Sequence, residues 1–482
     1  MTAAKAAHAT MARPENHLLV MFGATGDLAR RKLLPGLFHL AHAGLLPARY
    51  RVIGSSPRAF AMSTEAFRDH AKDAVTQFGR IAPEGPVWDE FVSRLSFGVA
   101  DPGDAGELLA AVDAAERDLG GHPHRLFHLA IPPDAMTAMV SMLGTTGLNE
   151  RARVIFEKPF GHDLASARAL NAAIAASFEE SQVFRIDHFL GKESVDNILA
   201  LRFANGLFEP IWNRNHVSFV QIDVPETLSI EGRASFYEPT GAFRDMVVTH
   251  LFQLLGVVAM EPPTSLNARP LRDEMVKVFE SMAPIDVEDV VRGQYDGYRA
   301  EPGVDPASDT ETFVALRCEV DNWRWKGVPF LLRTGKSMAE SRQVVTIGLR
   351  EPTLRIFPLE AEVRTHPGNR IVIDFADPGT IEVEFLAKQP GPMMRLGPAK
   401  MTFSYEASFI SDMGLDGYEH LLLEAMHGNQ ALFTRSDGIE RLWELSAPLL
   451  EQPPGAEPYF RGSWGPSSIE RLAAPYRWHL PT

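Results

Sequence analysis

One block of the sequence, Val183-Phe-Arg-Ile-Asp-His-Phe-Leu-Gly-Lys-Glu193, concentrates side chains that can do chemistry. His188 and Lys192 are four residues apart and share a face if the segment turns helical. Cationic donors near a helix start suit a phosphate dianion. Asp187 is a carboxylate that can orient an imidazole from elsewhere in the chain. The block alone is equally consistent with a strand end that carries a salt-bridged surface.

A glycine-containing turn near the start of the chain is a second chemical candidate. The apolar run His17–Phe22 predicts a buried parallel strand, and Gly23-Ala-Thr-Gly-Asp-Leu-Ala29 separates it from a helical pattern. A strand, a glycine turn and a helix N-terminus together present backbone N–H groups to a pyrophosphate. The spacing differs from the standard Gly-x-Gly-x-x-Gly, so the pattern by itself also fits a turn that binds no ligand.

The second predicted strand, at 50–54, ends where a dinucleotide-binding fold meets the adenosine ribose. An acid at this point favours the free 2′-hydroxyl of NAD, whereas basic and hydroxyl groups favour the 2′-phosphate of NADP. The chain has Ser55, Ser56, Pro57 and Arg58 here and no acid. The pattern therefore indicates NADP, although an idle surface arginine fits it too.

Two further apolar runs, at 125–131 and 154–157, predict the next strands of the same sheet. Lys158 follows the second run directly. Ligands of open α/β sheets bind at the carboxyl ends of strands, which places Lys158 where a substrate or nicotinamide would lie. A lysine that follows a strand is, however, usually a solvated surface residue.

Length and composition limit the class of protein. A chain of 482 residues predicts two large domains, and a net charge of −15 argues against nucleic-acid binding. No apolar run approaches the ~20 residues that cross a bilayer, and no signal peptide is expected in residues 1–16, because no apolar run precedes Leu18. Cys318, the only cysteine, lies in an apolar run and indicates a reducing, cytoplasmic compartment.

The second half of the chain has a different pattern from the first. Long β-type runs, several of which alternate in period two, predict an antiparallel sheet with flanking helices, an α+β arrangement. The runs are 217–224, 312–320, 344–349, 371–375, 381–386 and 401–405, with helical patterns at 246–260 and 418–426. The predicted organisation is a disordered extension at 1–16, a Rossmann-like α/β dinucleotide-binding domain at 17–190, and an α+β domain with a large antiparallel sheet at 191–482.

Together these motifs resemble the signatures of the glucose-6-phosphate dehydrogenase family. The matching segments keep the family's order from about residue 17 to about residue 450: Gly23–Ala29, Glu157–Gly161, Arg185–Lys192, Arg202–Asn205, Trp212–Arg214, Gly241–Met246 with His250, Arg292–Tyr295, Thr310–Phe313, Trp323–Lys336 and Gly417–Glu419. Each match alone is weak, but their number and order are highly specific.

The resemblance implies an activity. Members of the family oxidise C1 of D-glucose 6-phosphate to 6-phospho-D-glucono-1,5-lactone, the first step of the oxidative pentose phosphate pathway, and pass the hydride to NADP⁺, with NAD⁺ also possible. His250 matches the general base and Asp187 the carboxylate that orients it. Alcohol oxidation needs a base with a pKa near neutrality, which histidine has. Without the resemblance, His250 would be one of sixteen histidines and, in an apolar helix, would be taken for a core residue.

The resemblance also implies the remaining site residues. His188 and Lys192 match ligands of the 6-phosphate, Glu226 and Asp245 match ligands of the sugar hydroxyls, and Lys158 and Lys336 match lysines that line the substrate, with Lys158 also near the nicotinamide. The cofactor residues would be Gly23, Thr25, Gly26, Asp27, Leu28, Ser56, Arg58 and Asp101. No metal is implied. The family's second domain forms a dimer interface, so a homodimer or homotetramer is expected.

The chain departs from the family pattern at three places. Phe189 stands where the family usually has Tyr, which removes one hydrogen bond to phosphate. Pro57 takes the usual arginine position, with Arg58 one residue later, and Ser341 takes a position that is commonly basic.

Two other functions remain to be weighed. One is a dehydrogenase for another sugar phosphate or for a free sugar, and His188 and Lys192 argue against a neutral sugar. The other is a non-catalytic homologue that binds or regulates, which the presence of His250 and Asp187 argues against.

Overall fold

The computed structural model describes residues 12–354, 356–357, 368–375, 379–409 and 414–480. The strands of its first sheet are β1 (His17–Phe22), β2 (Tyr50–Ser56), β3 (Leu95–Val99), β4 (His124–Leu129), β5 (Ala152–Phe156), β6 (Val183–Ile186) and β15 (Phe433–Thr434). Their order is β15-β6-β5-β4-β1-β2-β3, and all neighbours are parallel except β15 and β6. All six residues of β1 are buried, which explains its continuous apolar run.

Helices connect the parallel strands, as parallel pairing requires a crossover. They are Leu34–His42, Thr64–Phe78, Gly85–Ser93, Gly106–Leu119, Pro133–Thr145 and Leu164–Ala175. The predicted strands at 17–22, 50–54, 125–131 and 154–157 correspond to β1, β2, β4 and β5. β3 was not predicted, because Leu-Ser-Phe-Gly-Val is short and interrupted by Ser and Gly.

The second sheet has nine strands. They are β7 (Val217–Pro225), β8 (Val290–Tyr295), β9 (Phe313–Glu319), β10 (Pro329–Gly335), β11 (Val344–Leu349), β12 (Arg370–Asp374), β13 (Thr380–Lys388), β14 (Leu396–Ser404) and β16 (Ala456–Tyr459). Their order is β14-β13-β12-β11-β7-β10-β9-β8-β16, and only the pairs β7/β10 and β8/β16 are parallel within the described residues. The predicted fold class is confirmed: a Rossmann-like α/β part and an α+β part with a large, mostly antiparallel sheet.

The remaining helices follow β6 in the chain. They are Glu193–Phe203, Ala234–Tyr237, Phe252–Ala259, Ala268–Ser281, Tyr405–Ser408, Gly417–His427, Ser436–Glu451 and Glu470–Ala473, with a π-helical segment at Phe243–Leu251. Within the described residues, no helix is long and apolar enough to cross a membrane.

The two parts of the chain are not separated cleanly at the predicted boundary near residue 190. Late segments return to the first sheet: β15 pairs with β6, and Glu419 accepts a hydrogen bond from His39 at 2.7 Å in a buried contact. The boundary therefore stays a prediction. Of the predicted disordered extension, residues 1–11 lie outside the described residues, whereas the backbone oxygen of Asn16 accepts a hydrogen bond from the backbone N–H of His124.

Candidate active site

A π-helical segment carries two of the predicted site residues, Asp245 and His250. The segment spans Phe243–Leu251 and continues as the buried helix Phe252–Ala259. The i→i+5 hydrogen bonds of a π-helix bring residues five apart onto neighbouring turns of one face. In an α-helix the same two residues would point about 140° apart. The sequence predicts a helix here; the winding that aligns Asp245 with His250 is found only in the structure.

Asp187 and His250 form a buried pair. The Nδ1 atom of His250 lies 2.7 Å from Oδ1 of Asp187, and that oxygen also accepts the backbone N–H of Phe189 at 2.9 Å. Both side chains are at most 2% exposed. The phenyl ring of Phe189 stacks on the imidazole with a centroid separation of 4.5 Å. The carboxylate and the ring therefore fix the orientation of His250, with Nδ1–H donating to Asp187 and Nε2 facing away from it.

Lys158 occupies the space beside Nε2. It follows β5, and its Nζ atom lies 2.8 Å from Nε2 of His250 and 2.9 Å from Oδ1 of Asp245. An ammonium group has only donors, so Nε2 is the acceptor, which agrees with the proton residing on Nδ1. The structure thus brings Lys158, Asp187, Asp245 and His250 into one connected group.

The electrostatics of this group favour a neutral imidazole. Burial lowers the pKa of His250 well below 6.5, and the charge of Lys158 acts in the same direction. Burial raises the pKa of Asp187 to about 6. Burial alone would also raise the pKa of Asp245, but the ammonium of Lys158 outweighs it and the pKa is lowered. At neutral pH the group therefore offers an uncharged nitrogen base between two carboxylates.

The two predicted phosphate ligands lie next to the same group. The ring of His188 meets that of His250 edge-on, with centroids 4.7 Å apart. Burial, followed by the proximity of His250, lowers the pKa of His188 to about 3, so His188 offers a neutral N–H donor. Lys192 supplies the charge; its Nζ atom donates to Gln343 and, at 3.1 Å, to the backbone oxygen of Phe375.

Lys336 and Glu226 form a second ion pair, at the ends of β10 and β7. Lys336 donates to Glu226 and lies 5.9 Å above the ring of Tyr237. Its charge also helps to lower the pKa of Asp245, which places the pair beside the central group. Ser341, at the usually basic position, instead has its hydroxyl bonded to Thr227.

The predicted dinucleotide turn lies at the same edge of the first sheet. Gly23 has a φ of +73°, and a Cβ atom there would lie 2.0 Å from the backbone oxygen of Ala130, so only glycine fits. The Thr25 hydroxyl lies 3.1 Å from that of Ser56, and the Gly26 N–H donates to the Gly23 oxygen. The segments that follow β1 and β4 therefore approach each other closely at the start of the turn.

The next residues of the turn lead into a helical segment. Asp27 is exposed and accepts a hydrogen bond from Arg31 at 2.7 Å. Leu28 is partly exposed and directly precedes the π-helical turn Ala29–Leu33.

Arg58 does not lie idle on the surface. Its guanidinium donates to Glu107 at 2.9 Å and lies 3.8 Å from Asp104, while its backbone N–H donates to Asp101 at 3.3 Å. Asp101 is among the residues predicted from the sequence, whereas Asp104 and Glu107 are not. The signal was the acidic sequence Asp101-Pro-Gly-Asp-Ala-Gly-Glu107, which follows the strand β3 that was not predicted.

A further buried network next to Lys158 was also missed. Glu157 accepts a hydrogen bond from His128 at 2.7 Å and one from Tyr418 at 3.2 Å. His128 was part of a predicted strand, but period-two patterns do not reveal polar pairs between neighbouring strands.

Fold and site together fit the class of dinucleotide-binding oxidoreductases, with two sheets and a buried histidine at the carboxyl edge of the first. Two family models match almost the whole chain: the glucose-6-phosphate dehydrogenase NAD binding domain at residues 20–197, and the C-terminal domain of the same enzyme at residues 199–479. The chain belongs to the glucose-6-phosphate dehydrogenase family.

Individual relatives agree with this assignment. The glucose-6-phosphate 1-dehydrogenase of Treponema pallidum is 39% identical over 495 residues, covering 97% of this chain and 95% of the relative. Glucose-6-phosphate 1-dehydrogenase 2 of Mycobacterium tuberculosis is 41% identical over 498 residues, covering 96% of this chain and 94% of the relative. A solved glucose-6-phosphate dehydrogenase in complex with glucose 6-phosphate superposes with a TM-score of 0.89 at 32% identity, covering 98% and 100%. The Mycobacterium avium enzyme gives a TM-score of 0.85 at 36% identity, covering 97% and 99%.

Proposed function

We propose that this protein oxidises C1 of D-glucose 6-phosphate to 6-phospho-D-glucono-1,5-lactone and passes the hydride to NADP⁺, with NAD⁺ as an alternative acceptor. The observation that carries the proposal is the buried Asp187–His250 pair, whose second imidazole nitrogen accepts a hydrogen bond from Lys158, which also pairs with Asp245. Relatives of more than 35% identity over nearly the whole chain are named for this activity.

His250 is the proposed general base. Its Nε2 atom accepts the proton of the C1 hydroxyl, while the C1–H bond breaks with its electron pair and a C1=O bond forms. A dinucleotide with its pyrophosphate at the glycine turn would supply the nicotinamide that accepts the hydride. Asp187 holds Nδ1–H and stabilises the imidazolium that results. Lys158 donates to Nε2 in this structure, and the substrate hydroxyl takes its place when substrate binds. Before substrate binds, the charge of Lys158 lowers the pKa of His250 and keeps the imidazole neutral.

The remaining polar residues position the substrate. His188 as a neutral donor and Lys192 as a cation bind the 6-phosphate, a combination that suits a dianion. Asp245, Glu226 and Lys336 bind the sugar hydroxyls, since paired carboxylates and lysines offer both acceptors and donors.

The residues of the glycine turn fit a dinucleotide. The close packing of Gly23 on Ala130 leaves no side chain between the backbone and a pyrophosphate, and Gly26, Asp27 and Leu28 lead into the helix. Thr25 and Ser56 place two hydroxyls near the adenosine side. Ser56, Arg58 and Asp101 are the proposed ribose-side ligands, and the preference for NADP⁺ rests on Arg58. The chemistry requires no metal.

We also propose that the protein forms a homodimer or a homotetramer and is located in the cytoplasm. Exposed apolar side chains on and near β14, among them Met393, Met394, Met401 and Phe409, support a subunit interface on this side of the second sheet. The family resemblance supports the location, and the buried Cys318 suits a reducing compartment.

The test is a steady-state assay of purified protein that follows reduced-nicotinamide absorbance. Glucose 6-phosphate is offered with NADP⁺ and with NAD⁺, beside free glucose and other hexose phosphates. His250→Asn should lower kcat by about 10²–10⁴-fold, the range of general-base catalysis, while His216→Asn, an exposed histidine, retains full activity. Folded protein that turns over no hexose 6-phosphate, or that oxidises free glucose equally well, would contradict the proposal.

A further inference from the structure

The residue expected to recognise a 2′-phosphate is surrounded by acids. Arg58 follows β2, and its guanidinium donates to Glu107 at 2.9 Å and lies 3.8 Å from Asp104. The backbone N–H of Arg58 donates to the carboxylate of Asp101 at 3.3 Å. Two carboxylates thus lie within 4 Å of the guanidinium, and a third accepts the backbone N–H of the same residue.

The acids are held at this position by the fold. The backbone N–H of Ala100 donates to the oxygen of Ser56, which ties the end of β3 to the end of β2. Asp101 and Asp104 exchange two backbone hydrogen bonds across a tight turn, and Glu107 is in the first turn of the helix Gly106–Leu119. A carboxylate in the first turn is favoured by the helix dipole. The acids therefore lie at the carboxyl ends of β2 and β3, where a dinucleotide-binding fold contacts the adenosine ribose.

This charge distribution opposes a 2′-phosphate. A phosphate dianion gains from Arg58 but is repelled by the carboxylates, and it must compete with Glu107 for the guanidinium. A 2′-hydroxyl meets no such repulsion and can donate to a carboxylate, the arrangement by which dinucleotide folds recognise NAD. In NAD-binding proteins the acid that recognises the ribose usually follows the second strand. Here the acids lie in the segment that follows the third strand, β3.

We propose that Glu107 is a specificity-determining residue for the coenzyme: by pairing with Arg58 it weakens recognition of the 2′-phosphate, so NADP⁺ is favoured over NAD⁺ less strongly than Arg58 alone would allow. The inference rests on the proposed function, because it assumes a dinucleotide at the glycine turn. It assigns Glu107 and Asp104 a part in coenzyme choice, with Arg58 as the group through which they act.

The test is direct binding of NADP⁺ and NAD⁺ to the full-length protein by isothermal titration calorimetry, independent of turnover. Glu107→Gln keeps the size of the side chain and removes its charge. The Kd for NADP⁺ should fall about five-fold, as expected for one exposed charge pair, while the Kd for NAD⁺ changes less than about two-fold. Asp113→Asn is the matched control, because it removes an exposed charge from the same helix farther from Arg58 and should change neither Kd.

A second pair of variants tests whether Glu107 acts through Arg58. In an Arg58→Gln background, Glu107→Gln should improve NADP⁺ binding less than about two-fold, since no guanidinium remains to be released. A gain as large as in the wild-type background would overturn the role of Arg58.

The two ways of failing are distinguishable. Wild-type protein that binds both dinucleotides, with a ratio of Kd values unchanged by Glu107→Gln, overturns this inference and leaves the proposed function standing. Folded wild-type protein that binds neither dinucleotide overturns both.

Discussion

The Nζ atom of Lys158 lies 2.8 Å from Nε2 of His250, the nitrogen that would take the substrate proton. The contact assigns the tautomer, since an ammonium can only donate. It also disfavours a second proton on the ring, because an imidazolium would lie against a positive charge. Lys158 thus keeps the proposed base in the form that can accept a proton.

Replacing Lys158 by Met should shift the acidic limb of the pH profile. The ammonium lowers the pKa of His250, so its removal raises that pKa. Catalysis needs the neutral imidazole, and kcat/KM should therefore decline at a higher pH than in the wild type, by about one pH unit or more. The measurement is kcat/KM for glucose 6-phosphate from pH 4.5 to pH 9.

Lys158→Arg retains the charge and is the control for this shift. Its activity is expected to fall, because the larger guanidinium changes the geometry, but its acidic limb should stay where the wild-type limb lies. An acidic limb that stays in place in Lys158→Met would show that Lys158 does not set the pKa of His250.

Asp187→Asn should abolish most of the activity without loss of the fold. An amide in place of the carboxylate favours the opposite tautomer of His250, which puts the proton on Nε2, and it cannot stabilise an imidazolium. We expect kcat to fall on the order of 10²–10⁴-fold with KM changed little. Asp196→Asn is the control, since burial also raises the pKa of Asp196 to about 6 but it lies outside the group. Equal losses in both variants would argue for a structural effect.

Phe189→Tyr should strengthen binding of the substrate phosphate. The ring of Phe189 lies between His250 and Lys192, at 4.5 Å and 5.6 Å, so an added hydroxyl at its end is near the proposed phosphate ligands. One charge-assisted hydrogen bond contributes ~1.5–3 kcal/mol, which predicts a KM for glucose 6-phosphate at least about ten-fold lower. Free glucose is the control substrate, and an equal improvement for it would exclude a phosphate contact.

Gly23→Ala should destabilise the protein and weaken dinucleotide binding. The left-handed backbone and the contact of 2.0 Å between a built Cβ and the Ala130 oxygen force β1 and β4 apart. We expect the free energy of unfolding to fall by at least about 1–3 kcal/mol in chemical denaturation. Gly206→Ala, where nothing lies within 4 Å of the added atom, should change it by less than about 0.5 kcal/mol. Equal stability of the two variants would contradict the strained turn.

Much of the fold was predictable because its signals are local. The run Leu18–Phe22 is apolar because β1 is buried on both faces, and the runs at 344–349 and 371–375 are recognisable because β11 and β12 are buried over most of their length. β3 and β15 were not predictable in the same way. β3 is weakly patterned, and β15 has two residues, so it exists only because β6 offers it a partner.

The identity of the site residues could be predicted from the sequence, but their arrangement in space could be predicted only in part. The resemblance named His250 and Lys158, but no local pattern indicates that a π-helix aligns Asp245 with His250, or that Lys158 bridges them. No local pattern indicates the acids around Arg58 either, because Glu107 is 49 residues from Arg58 in the chain.

Side-chain type and hydrophobic period are properties of short segments, so the amino-acid sequence alone reveals which chemical groups are available and the order of the strand, turn and helix that carry each of them. Which of these groups meet depends on the folded chain. Asp187 and His250 are 63 residues apart, and the packing of the π-helix against the end of β6 brings them to 2.7 Å, with both side chains at most 2% exposed. Burial and proximity set the pKa values of His250 and Asp187, and both arise only when the chain is folded.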